Sequence, residues 1–153
     1  MRTRAGIAVL LLLGVALGSL REFLFINLNY EIDRVRYHRP IAYAHSRFRA
    51  WTEGWDLGAL LTFKWVLSFA YMAAMLGLAI LLMRLLQGHF RAARHLALAY
   101  AALGLLALGF HALSGSVPPL EAVGVKLLHL LQYPVLLFFL WAAHLLRAGT
   151  KRA

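Results

Sequence analysis

The chain has 153 residues, of which 62% are hydrophobic and 14% charged, and its mean hydropathy is +0.71. A water-soluble domain is about 45–50% apolar and about 25% charged, so lipid is the expected solvent. The formal net charge is +10 and there is no cysteine, which excludes disulfides, thiolate metal sites and cysteine nucleophiles; in so apolar a chain the cations point to anionic headgroups rather than to nucleic acid.

Apolar runs of about 20 residues are needed to cross about 30 Å of hydrocarbon. The first runs from Ala5 to about Asn29, interrupted by Arg21 and Glu22. Its start, Met1-Arg2-Thr3-Arg4 and then apolar residues to Ala16-Leu17-Gly18, also fits a cleavable signal peptide. The apolar stretch resumes at Phe23, however, and Gly14 and Gly18 form a GxxxG pattern for close helix packing in lipid. Both features favour an uncleaved span.

A long polar connection follows, from about Tyr30 to Asp56. It predicts a short amphipathic helix over Ala42 to Trp55, with Trp51 and Trp55 at i, i+4 suited to a membrane interface. The second span runs from about Leu57 to Met83 and carries Lys64; the third runs from about Leu96 to Leu113 without a charge. Ser114-Gly115-Ser116-Val117-Pro118-Pro119 is a turn. The fourth span runs from about Val123 to Leu146, and Pro134 in its middle predicts a kink. The expected fold is therefore all-α. It is a single integral membrane domain over 1–153, a polytopic transmembrane bundle of four helices with one long outer loop between the first two.

Four spans place Arg2, Arg4, Arg84, Arg91, Arg94, Arg147, Lys151 and Arg152 on one side, with no acid among them. Outside the spans, Arg34, Arg36, Arg39, Arg47 and Arg49 lie on the other. The excess of Lys and Arg predicts that both termini are cytoplasmic, in the cell's inner (cytoplasmic) membrane.

Polar residues within the spans gather toward the outer side: Arg21 and Glu22 on span one, Lys64 on span two, His111 on span three, and Lys126, His129 and Gln132 on span four. Helical spacing aligns Lys64, Ser68 and Tyr71, then Tyr100, Gly104, Ala107 and His111, then Lys126, His129 and Tyr133. Two readings fit. Arg21, Glu22, Lys64, His111, Lys126 and His129 form an outward-facing polar pocket; or the lysines snorkel to the headgroups and Glu22 pairs with Lys64 or Lys126 to hold the bundle. Likewise Glu31, Asp33, Arg34, Arg36 and His38 form either a salt-bridged solvated loop or a surface that faces a partner.

Known chemistries fit poorly. His95 with His144 and His111 with His129 imitate bis-histidine haem ligation, but His95 and His111 point about 160° apart around their helix. Only a single haem between His111 and His129 survives that geometry. Seven dispersed histidines lack zinc spacing. Ser114 with His111 is no serine-protease arrangement, and spans two to four hold no buried carboxylate pair. No catalytic residue, metal or cofactor is assigned.

The run Arg21-Glu22-Phe23-Leu24-Phe25-Ile26-Asn27-Leu28-Asn29, with Gln132-Tyr133-Pro134 in the last span, resembles small four-span membrane proteins of Bacteroidetes associated with exosortase-type protein-sorting systems. The resemblance implies an accessory role beside a membrane transpeptidase-like enzyme. Such enzymes use a catalytic cysteine, which this chain lacks, so the implied role is that of a partner. The expected function is a non-catalytic accessory or scaffold subunit in the bilayer, partnered by a larger membrane protein or by its own copies. A small transporter or lipid-handling protein is the alternative, and a single b-type haem or quinone protein the third.

Overall fold

A computed structural model describes residues 2–40 and 43–150. Lys151 and Arg152, counted above among the inner cations, lie outside the described residues, as does Ala42. The described residues form six helices: α1 (Arg2–Arg36), α2 (Ser46–Trp51), α3 (Leu57–Gln87), α4 (Arg91–Leu113), α5 (Pro119–Gln132) and α6 (Val135–Thr150). Three of them, α1, α3 and α4, are long and apolar enough to cross a membrane, and α5 with α6 pass that test together as a bent pair. Their outward faces are apolar and bare: Leu12 is 68% exposed, Leu105 70% and Phe139 70%. In water these faces would be unshielded patches; in lipid they need no cover.

Local chemistry sets the element ends. Asp56 caps α3 by accepting from the Ala59 N–H at 2.7 Å. Gly88 closes the same helix in the left-handed region, φ 76°, and donates to the Arg84 carbonyl. Pro119 occupies the first turn of α5, where no N–H is needed. Between α5 and α6, Pro134 forces Tyr133 into an extended conformation, and the two helices bend by 61°. The expected kink is thus a full break.

α1 is longer than the hydropathy predicts, reaching Arg36 instead of ending near Asn29. No glycine or proline stands between Gly18 and Pro40, and Arg34 donates to Glu31 one turn away at 2.7 Å. At about 52 Å the helix exceeds the hydrocarbon thickness and carries its last turns beyond it. The predicted amphipathic helix shrinks to α2, and Trp55 lies after it.

α3 is central and touches α1, α4, α5 and α6. Two apolar clusters line it. Leu11, Met75, Ala79, Leu82, Tyr100, Leu131 and Leu137 fill the half nearer the start of α1. Leu28, Ile32, Phe48 and Leu60 fill the half nearer its end, with Trp55 and Phe63 packed against them. Gly14 and Gly18 face the break itself. A Cβ on Gly14 would stand 2.6 Å from Leu137, and one on Gly18 would stand 3.0 Å from Pro134. The GxxxG pattern therefore seats the Pro134 corner against α1.

α4 and α5 pair closely, with Gly124 at the contact. A Cβ there would lie 2.9 Å from the Ala107 carbonyl oxygen, which is backbone and cannot swing away. Gly124→Ala is expected to cost about 1–3 kcal/mol by overpacking. Gly109→Ala, where a Cβ meets nothing within 4 Å, should leave stability unchanged or raised. Thermal unfolding of both variants in detergent, followed by circular dichroism, checks this; equal midpoints would refute the close α4–α5 contact.

Candidate functional site

The polar layer lies between the two apolar clusters. Its centre is Arg21, which is 3% exposed. Its Nε donates to Gln132 Oε1 at 2.9 Å, and its Nη1 donates to the Tyr133 hydroxyl at 3.0 Å. The Tyr133 hydroxyl in turn donates to Glu22 Oε2. Gln132 donates its amide N–H to the Ser68 carbonyl at 3.2 Å, which ties the network to α3. The guanidinium lies over the Phe25 ring at 4.6 Å and the Tyr133 ring at 4.5 Å. Cation–π contacts of this kind strengthen where water is excluded. Phe25 meets Tyr71 edge to face at 6.2 Å.

Toward the end of α1, Lys64 Nζ donates to Asn29 Oδ1 at 2.8 Å, again linking α3 to α1. Between Arg21 and Lys64 opens a cavity of about 290 Å³, whose lining includes Glu22, Asn29, Ser68, His129, Gln132 and Tyr133. Four of the six sequence-derived pocket residues meet here: Arg21, Glu22, Lys64 and His129. The other two lie outside its lining. His111 packs its ring edge-on against Trp65 at 5.4 Å. Lys126 is exposed on α5. Neither lysine takes Glu22, whose carboxylate is used by Tyr133. A direct ion pair forms instead between Arg34 and Glu31.

No protein-family model, curated protein or solved structure gives a significant match to the chain.

The residues ascribed to a partner-facing loop belong mostly to a helix. Glu31, Asp33, Arg34 and Arg36 form the last turns of α1, and His38 alone follows it, with φ 48°. Glu31 is 1% exposed and points inward, with one oxygen on Arg34 and the other without a partner among the described residues. The loop is pinned by Asn27, whose Oδ1 accepts the His45 N–H at 2.5 Å and whose amide donates to the Phe23 carbonyl. Trp51 and Trp55 close over Phe63, with ring centroids at 5.6 and 5.3 Å. Among the described residues no group of three His, Asp or Glu side chains is placed to hold a metal.

Every strong donor of this layer crosses between helices. Leaving a buried guanidinium N–H unpaired costs about 1–3 kcal/mol or more. Gln132→Leu and Tyr133→Phe should each lower the thermal midpoint in detergent. The double variant should cost less than the sum, because both side chains serve one guanidinium. Strictly additive losses would show that Arg21 does not couple them.

Proposed function

We propose that this chain is a non-catalytic, multi-pass protein of the cytoplasmic membrane, acting as an accessory or scaffold subunit of an envelope complex of the protein-sorting kind. In this reading α1, α3, α4 and the bent pair α5–α6 are four spans, and both termini are cytoplasmic. The observation that carries it is the network around Arg21: Gln132, Tyr133, Glu22 and Ser68 spend their hydrogen bonds on holding α1, α3 and the α5–α6 corner together. Such a layer builds a rigid frame. The outer end adds a display surface, where Tyr37 and Tyr43 are exposed. Large aromatic side chains of this kind are enriched where proteins meet. The resemblance of the Arg21–Asn29 and Gln132–Pro134 stretches to proteins of sorting systems points the same way.

Two measurements test this reading. Affinity purification from native membranes in mild detergent, with mass spectrometry of the eluate, should recover a larger membrane protein in stoichiometric amount. A chain that purifies alone and colourless would remove the accessory role, and a visible absorption band would replace it with the haem reading. The absence of native cysteine makes topology simple to read. Glu53→Cys should react with a membrane-impermeant maleimide in intact cells, whereas Gln87→Cys should react only after permeabilisation. The opposite pattern would invert the orientation.

A further inference from the structure

The cavity beside Lys64 is not consumed by the network beneath it. Arg21 uses two of its five N–H donors on Gln132 and Tyr133. Lys64 uses one of three on Asn29. The ring of His129 lines the same space. Two fixed cations, Arg21 and Lys64, stand there against one carboxylate, Glu22. The cavity therefore carries a single net positive charge, which matches the single negative charge of a phosphodiester.

Its depth and its lining identify the source of that phosphodiester. Phe63, the neighbour of Lys64, supports Trp51 and Trp55, and paired tryptophans of this kind settle at the headgroup level. Lys64 lies seven residues into α3 from Leu57, about 10 Å along the helix axis. Its lining also includes Ile26 of α1 and Val125 of α5, both exposed apolar side chains, and Leu128. The polar groups thus share one cavity with an apolar surface. A headgroup seated beside Lys64 would lay its acyl chains along Ile26, Val125 and Leu128, a surface that a free anion from water would leave bare.

We propose that this cavity is a binding site for the phosphodiester headgroup of an anionic phospholipid, held by Lys64 and Arg21 with His129 at its side. The site is independent of the accessory role and would serve any function of the bundle.

Reconstitution of the full chain into vesicles of mixed phosphatidylglycerol and phosphatidylcholine, followed by extraction and native mass spectrometry, tests it. Phosphatidylglycerol should be retained in preference to phosphatidylcholine. Lys64→Met should reduce that preference about tenfold, the effect of one lost charge-assisted hydrogen bond. Lys126→Met, which removes an equal charge outside the cavity, should leave it unchanged. Lys64→Arg should keep it, and His129→Ala should weaken it, so that a poorly folding Lys64→Met still leaves a decisive variant. Equal retention of both lipids, an equal effect of Lys64→Met and Lys126→Met, or displacement of the lipid by millimolar inorganic phosphate would overturn the proposal.

Discussion

A guanidinium inside an apolar bundle must bring its own solvent, and the placement of Arg21 governs much else in this chain. An arginine in a spanning helix costs up to about 2.5–3.5 kcal/mol on insertion scales. Each hydrogen bond from a charged group returns about 1.5–3 kcal/mol. The two bonds to Gln132 and Tyr133 are therefore of the size needed to make Arg21 tolerable. They come from adjacent residues at the end of α5. In an unbroken helix adjacent residues point about 100° apart and could not both reach one guanidinium easily. Pro134 resolves this by pulling Tyr133 out of the helix into an extended conformation. The break between α5 and α6 and the burial of Arg21 thus require one another.

The same corner explains the glycines of α1. Gly18 and Gly14 lie about one and two turns before Arg21 on the face that receives Pro134 and Leu137. Side chains there would hold α1 away from the corner and lengthen the Arg21 bonds. Close packing at the glycines and polar pairing at Arg21 are therefore one device. The first sets the distance between the helices, and the second sets their rotation.

Much of this was legible in the chain itself, in proportion to how local its cause is. Hydrophobic runs located α3, α4 and the α5–α6 pair, and Pro134 announced a kink where the structure has a full break, because length and proline chemistry need no partner. The outer end of α1 was misplaced because hydropathy marks where lipid ends, and a helix does not need lipid to continue; Glu31 and Arg34 carry it further. On α5 the predicted stripe through Lys126 and His129 was rotated. The buried face centres on Gln132, which lies about 120° around the helix from Lys126, and its identity depends on where α3 presents the Ser68 carbonyl. Tyr133 joins the site through backbone unwinding, so no helical periodicity could have assigned its direction. His111 continues the α4 face of Tyr100, Gly104 and Ala107, which are buried, but near the helix end it is exposed and meets Trp65 of α3 instead of the cavity.

The two halves of the polar layer differ in what they leave unused. Around Arg21 two donors meet protein acceptors fixed by the α5–α6 corner, and the rings of Phe25 and Tyr133 lie against the guanidinium faces, so that only its remaining edge donors turn to the cavity. Around Lys64 the protein supplies one neutral amide oxygen, from Asn29, and the space beyond it is open. An ammonium in an apolar wall is compensated poorly by a single neutral acceptor. Snorkelling alone would relieve this, since Lys64 stands near the headgroups. The Asn29 bond, however, holds its nitrogen toward α1 and the cavity. A side chain held there, beside a cavity whose lining is net positive, is suited to an anion.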